Sequence, residues 1–99
     1  MRLDILNICQ RNLKRFEQIE GLAAAIKADE PIPLIEIIET EQGFQINNGH
    51  HRAVAYVVAG RTELFPYEYI FVHNEPRPEF GPLDLLVQQY QQLYYIKQT

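Results

Sequence analysis

Three basic residues in a row, His50, His51 and Arg52, follow Asn48 and Gly49 at the start of a segment with a helical pattern. The first turn of a helix has unpaired N–H groups and a partial positive charge, so it favours acidic neighbours. Histidines relieve the repulsion by staying neutral, whereas an arginine cannot. A phosphate would turn the repulsion into attraction, so the pattern predicts an anion site at residues 48–52. The alternative, a turn whose basic side chains point into solvent, stays open from the spacing alone.

Two other kinds of site have weaker support in the sequence. The three histidines, at positions 50, 51 and 73, lack the i, i+4 spacing that aims two imidazoles at one metal ion, so no metal site is predicted. Cys9 is the only cysteine, which excludes an internal disulfide and suits a reducing cytoplasm. It follows a short apolar run and is interpreted as a small buried or edge residue.

The elements that would position these residues follow from the hydrophobic pattern. Alternating or β-branched runs predict strands, and apolar residues at i, i+3, i+4 and i+7 predict helices. The expected strands are residues 3–8, 34–40, 44–47 and 66–73, and the expected helices are residues 16–28, 50–59 and about 83–96. The proline-rich stretch 74–82 is predicted to be a loop.

This order of elements indicates one domain that spans residues 1–99. It predicts a small mixed α/β domain of the α+β type, with a short mixed sheet, a β-hairpin and about three helices. Ninety-nine residues suffice for one modest core and are too few for two.

The charge and the apolar runs limit the expected partners. The formal net charge is −4 and the sequence pI is about 5.3, which disfavours broad, non-specific binding to DNA. No apolar run reaches the length of a membrane span, and the first residues do not resemble a signal peptide. The chain is therefore expected to be soluble and cytoplasmic, without a membrane partner.

The stretch PIPLIEIIETEQGFQINNGHHRAVAYVVAG resembles the core of the ParB/sulfiredoxin superfamily. Members of that superfamily have a hairpin, then a Gly-x-[His/Arg]-Arg turn, then an alanine-rich helix that ends in glycine. The NGHHR turn is close to the DGHHR of free-standing ParB-like nuclease domains. The preceding QRNLKRFEQIEGLAAAIKADEPIP is similar to the front half of the family, so the likeness covers about residues 3–72.

The resemblance implies a nucleotide site at the turn. By position, Gly49 would allow close backbone approach, and His51 and Arg52 would contact phosphate. His50 would be a third contact or the proton donor in catalysis. The resemblance thus implies binding of ATP or ADP, with Mg²⁺ and without a redox cofactor. The full set of implied phosphate- or nucleotide-binding residues is Asn48, Gly49, His50, His51, Arg52 and, as a second phosphate contact, Arg15.

The chain departs from the family pattern at two positions. His50 stands where sulfiredoxins have their reactive cysteine, so reduction of sulfinic acids is not supported. Asn48 stands where a branch that phosphorylates free serine has an aspartate, and an amide cannot act as a base. Glu17 or Glu20 could supply a carboxylate instead, although both are equally explained as residues at a helix start.

Three functions are therefore carried forward. The first is nucleotide binding at the turn, with phosphoryl transfer or hydrolysis as the reaction. The second is a ParB-like nuclease or DNA-associated protein that grips a backbone phosphate. The third is a non-catalytic interaction module, whose tyrosine-rich closing helix, with Tyr90, Tyr94 and Tyr95, would dock a partner or form a homodimer.

Overall fold

The computed structural model describes residues 1–98, in which three α-helices pack with a five-stranded mixed sheet. This confirms the predicted small mixed α/β domain. The strands are β1 (Leu6–Ile8), β2 (Ile35–Thr40), β3 (Gly43–Asn48), β4 (Tyr69–Phe71) and β5 (Gly81–Pro82), and the helices are α1 (Gln18–Lys27), α2 (His50–Val58) and α3 (Asp84–Gln98).

The sheet has the strand order β4-β2-β3-β1-β5. The hairpin of β2 and β3 is antiparallel, and β1 lies parallel to β3 with Leu6 opposite Phe44. The residues that follow two parallel strands emerge at the same edge of a sheet. Cys9, which follows β1, is thereby brought beside His50, which follows β3.

The core lies between the sheet and the helices. Its fully buried side chains include Leu6 and Ile8 from β1, Ile37 and Ile46 from the hairpin, and Val54 from α2. Each buried side chain of this size contributes about 1.5–3 kcal/mol relative to an exposed one. The core therefore fixes the ends of β1 and β3 and the start of α2 relative to one another.

Several predicted boundaries are wrong. Residues Leu3–Ile5 form a 3₁₀ turn rather than the first half of a strand, because the Leu3 N–H donates to the Thr62 carbonyl and not to the sheet. The predicted strand 66–73 pairs only over Tyr69–Phe71. The predicted loop 74–82 ends in the short strand β5, which pairs with β1.

The predicted closing helix is confirmed, but only its first half packs against the rest of the domain. Leu86, Val87 and Tyr90 are buried, whereas Leu93 and Tyr94 are each 39 % exposed. The apolar stripe therefore continues past the part of the helix that packs on the core. No helix within residues 1–98 has the length and apolar content that crossing a bilayer requires.

Candidate functional site

A cleft of about 760 Å³ lies where β1 and β3 end and α2 begins. All six of the residues that the sequence predicts for the site line it: Arg15, Asn48, Gly49, His50, His51 and Arg52. The cleft also contains Cys9 and Arg77, which come from the end of β1 and from the proline-rich loop. Residues far apart in the chain therefore meet at the glycine-preceded helix start.

The start of α2 is open towards a ligand. Gly49 is the N-cap with φ of +108° and provides no side-chain cap, and strand β3 extends through Asn48. The first helical hydrogen bond is donated by the Ala53 N–H to the Gly49 carbonyl, at 2.8 Å. The N–H groups of residues 50–52 donate to no group in the described part of the chain. Unpaired donors of this kind form an anion site.

His50 is neutral at physiological pH. Its side chain is 5 % exposed, and its Nε2 accepts the Cys9 N–H at 3.1 Å. Burial lowers the pKa of His50 to about 4, with a further contribution from the charges of His51 and Arg77. Because Nε2 accepts a hydrogen bond, the single proton of the neutral ring resides on Nδ1. Any proton that His50 donates near neutral pH therefore comes from Nδ1.

His51 ties the loop before α1 to the start of α2. Its Nε2 accepts the backbone N–H of Arg15 at 3.0 Å, and this contact holds Arg15 at the cleft. Burial, followed by the charge of Arg15, lowers the pKa of His51, while Glu17 opposes the shift. Both histidines at the helix start thus relieve the electrostatic conflict by favouring their neutral forms, as the sequence predicts.

Arg52 provides a permanent charge at this helix end. Its guanidinium donates a hydrogen bond to the Leu34 carbonyl, which holds the side chain across Gly49. Burial lowers the pKa of Arg52, while the charge of Glu36 opposes that shift. An arginine stays protonated under all ordinary conditions, so Arg52 remains a cation in the cleft.

The cleft concentrates positive charge in a chain whose net charge is −4. Four of its lining residues are cations and one, Glu36, is an acid; the cations are Lys14, Arg15, Arg52 and Arg77. Among the side chains of residues 1–96, the salt bridges are Arg2–Asp4 and Arg61–Glu68, and both lie outside this set. None of the cleft cations therefore forms a salt bridge in the described part of the chain, although Glu36 lies close enough to Arg52 to affect its pKa, and the net field of the four cations attracts anions.

Several lining residues were not identified from the sequence as parts of the site, among them Cys9, Glu36 and Arg77. Cys9 was interpreted as a buried or edge residue, yet it is half-buried in the cleft, and its Sγ lies 3.7 Å from Nε2 of His50. Glu36 supplies the carboxylate of the cleft, whereas Glu17 and Glu20, the acids considered from the sequence, do not line it. One feature of the sequence could have indicated Arg77: it lies between two prolines, which restrict the loop backbone.

Other potential sites have less support. Within residues 1–98, no three His, Cys, Asp or Glu side chains are grouped so as to hold a metal ion. His73 lies at a separate groove beside β4, away from the other two histidines. Tyr94 and Tyr95 lie on the exposed part of α3 and do not line the cleft.

Comparisons with protein-family models, with curated proteins and with solved structures gave no match to this chain. Membership of the ParB/sulfiredoxin superfamily therefore stays a prediction from the NGHHR turn and its flanking elements.

The buried His50 predicts a loss of stability in acid. Its pKa in the folded chain lies below the ordinary 6.5, so this contribution is full above pH 6.5 and is lost as the pH falls towards 4. We expect this group to make the domain about 2 kcal/mol less stable at pH 5 than at pH 7. Urea unfolding at both pH values measures the difference.

The matched control is His50→Gln, since its amide oxygen retains an acceptor for the Cys9 N–H but does not titrate. This variant should lose clearly less stability than the parent between pH 7 and pH 5. An equal loss in both proteins would show that His50 is not responsible.

Proposed function

We propose that the cleft binds the phosphate groups of a nucleotide, ATP or ADP. The observation that carries the proposal is the convergence of four cations, none of them in a salt bridge within the described chain, with the open N–H groups of residues 50–52. Helix N–H groups and guanidinium groups are the donors that proteins use for phosphate. The resemblance of the NGHHR turn to ParB-like proteins supports the same ligand.

Four of the predicted residues have a defined part in phosphate binding. Gly49 lets the phosphate approach the backbone, since a side chain there would occupy the space beside Arg52. Arg52 and Arg15 supply charge from the two sides of the helix start. His51, whose Nε2 is engaged by Arg15, contributes Nδ1–H and its backbone N–H as donors.

A nucleotide bound here would bring Mg²⁺, and the chain has oxygen donors that suit this ion. Glu36 lines the cleft and accepts a hydrogen bond from Nδ2 of Asn47 at 3.0 Å. The Oδ1 atom of Asn47 is buried and has no hydrogen-bond partner within the described residues. Mg²⁺ is usually held by one or two carboxylates together with substrate phosphates. Glu36 and Asn47 would therefore hold the ion, which would neutralise phosphate charge.

The reaction that suits such a site is phosphoryl transfer or hydrolysis. In these reactions the protein acts mainly by positioning the phosphates and by stabilising charge. Arg15 and Arg52 would provide that stabilisation, and the neutral His50 would offer its Nδ1 proton. Asn48 cannot act as the base, and Glu36, the acid among the lining residues, would be occupied by the ion.

The test is a calorimetric titration with ATP, ADP and CTP, with and without Mg²⁺. We expect the parent protein to bind ATP, and Arg52→Ala to bind it about 10- to 100-fold more weakly, because a charge-assisted hydrogen bond is lost. The control is Arg2→Ala, which removes an equal charge from an exposed residue outside the cleft. Absence of nucleotide binding, or equal affinity in Arg52→Ala and the parent, would overturn the proposal.

The same cleft would also accept a backbone phosphate of DNA, as in a ParB-like nuclease. The net charge of −4 disfavours this alternative, since DNA binding relies on many basic contacts. Incubation with plasmid and single-stranded DNA separates the two ligands. Metal-dependent cleavage that is lost in Arg52→Ala would favour the nuclease.

We also propose that the uncovered half of α3 forms a homodimer contact. Leu93, Tyr94, Tyr95 and Ile96 are 39 to 71 % exposed on consecutive positions of this helix. Exposed aromatic and aliphatic side chains of this kind are enriched at interfaces. Sedimentation over a concentration series should detect dimers that disappear in Tyr95→Glu; a monomer at every concentration would contradict this contact.

A further inference from the structure

We infer that Arg77 binds the anion in the cleft and that the buried Gln45 is the residue that positions it. This inference rests on the proposed function, since it names two further residues of the same anion site. Neither residue belongs to the NGHHR turn.

Gln45 is fully buried in β3, where an apolar residue would be expected. Its amide makes two hydrogen bonds to Arg77 in the proline-rich loop and a longer one, of 3.4 Å, from Nε2 to Oε1 of Glu79 in the same loop. Nε2 donates to the Arg77 carbonyl at 2.7 Å, and Oε1 accepts the Arg77 N–H at 2.8 Å. A buried polar side chain with both ends satisfied fixes its partner more firmly than an exposed one.

The loop sequence prepares Arg77 for this contact. Pro76 and Pro78 flank it, and a residue before proline is restricted to an extended conformation. In an extended residue the N–H and C=O point to the same side, so one amide side chain can bind both. Gln45 and the two prolines therefore hold the Arg77 backbone in one place.

The ends of the loop are also attached to the sheet. The Val72 N–H donates to the Ile37 carbonyl at 2.9 Å, and the Phe80 N–H donates to the Ile8 carbonyl at 3.0 Å. The loop between these anchors therefore runs from the β2 side of the sheet to the β1 side, and its middle contacts the central strand β3 at Gln45.

The side chain of Arg77 is directed to the cleft rather than to an acid. It lines the cleft with Cys9 and His50, and its charge is close enough to affect the pKa of His50. Its guanidinium has no hydrogen bond or ion pair with the side chains of residues 1–96 or with the described backbone. A backbone held by a buried amide and a guanidinium without a partner are the features of a preorganised anion contact.

A double-mutant cycle, with ATP as the probe, tests both roles. Arg77→Ala should weaken ATP binding about tenfold, and Arg2→Ala, the charge control, should change it less than twofold. Gln45→Met retains the approximate volume of the side chain and removes its hydrogen bonds to Arg77 and Glu79. It should weaken binding about three- to tenfold in the parent and less than twofold in the Arg77→Ala background.

Thermal unfolding of the same variants separates positioning from stability. A purely structural role for Gln45 would lower Tm and ATP affinity equally in both backgrounds, which would overturn the positioning role. If Gln45→Met does not fold, Pro78→Gly provides the second variant, because it frees the Arg77 backbone and leaves Gln45 in place. Pro78→Gly should likewise weaken ATP binding in the parent and change it less than twofold in the Arg77→Ala background.

The failures of the two proposals are distinguishable. If the parent binds no ATP, the proposed function fails. If the parent binds ATP and Arg52→Ala loses it while Arg77→Ala binds as tightly as the parent, the nucleotide site stands and this inference is wrong.

Discussion

Replacing Gly49 by alanine is expected to destabilise the domain by about 2–4 kcal/mol and to weaken ATP binding at the cleft. Gly49 has a φ of +108°, a conformation that side chains rarely adopt. A Cβ there would also lie 3.3 Å from Cγ1 of Ile35 and 3.2 Å from Cζ of Arg52. Ile35 is fully buried and has little room to move. Arg52 can move, and its displacement would remove the cation from the helix start.

Two other glycines provide matched controls for the same chemical change. Gly21 lies inside α1 with open space around it, so Gly21→Ala should stabilise the domain by up to about 1 kcal/mol. Gly60 has a φ of +90°, and a Cβ added there would meet no atom within 4 Å. The loss of stability in Gly60→Ala should therefore report the backbone strain alone, without steric crowding. Urea unfolding of the three variants measures the separate contributions. Equal stability of Gly49→Ala and the parent would contradict the close packing at the helix start.

The second large effect is expected at the ion pair of Arg61 and Glu68, on the side of α2 away from the cleft. The two side chains are 24 % and 11 % exposed and form two hydrogen bonds, of 2.5 and 3.1 Å. Glu68 also accepts the Phe65 N–H at 2.7 Å, and the Arg61 guanidinium lies 4.2 Å from the Phe65 ring centroid. Burial opposes ionisation of Glu68, but these hydrogen bonds outweigh it and lower its pKa.

Arg61→Ala should therefore destabilise the domain by about 2–4 kcal/mol, because it leaves a largely buried carboxylate without its partner. Arg2→Ala breaks the other salt bridge, whose side chains are 70 % and 60 % exposed, and should cost less than about 0.5 kcal/mol. Chemical denaturation compares the two variants. If both have similarly small effects, the Arg61–Glu68 pair does not hold the segment between α2 and β4.

The parts of the fold with a strong local pattern could be predicted from the sequence. The hairpin, α1 and α2 have a clear period of apolar residues, and Gly49 and Gly60 mark both ends of α2. Strand β5 has no such signal, since two residues, Gly81 and Pro82, become a strand only by pairing with β1. The turn at residues 3–5 likewise depends on a distant partner, the Thr62 carbonyl.

The part of the cleft that consists of neighbours in sequence could likewise be predicted from a local pattern. The residues at the NGHHR turn are neighbours in sequence, so a local pattern brings them together and makes them candidates for an anion site. Cys9 reaches the cleft through the parallel pairing of β1 with β3, and Arg77 reaches it through a loop held by Gln45. Glu36 reaches it from β2, where it lies opposite Asn48 in the hairpin. No local pattern in the sequence specifies these long-range contacts. Sequence reasoning therefore identified the residues of the helix start and Arg15, and it missed Cys9, Glu36 and Arg77.

The most direct test of the nucleotide site is an ATP titration of ¹⁵N-labelled protein that is followed by backbone amide NMR signals. The proposal predicts the largest shifts at the amides of residues 49–52, with smaller ones at Arg15 and Arg77, the residues that line the cleft. The same titration of Arg52→Ala should require much more ATP to reach equal shifts. An unchanged spectrum, or shifts confined to α3 and β4, would contradict a nucleotide site at the start of α2.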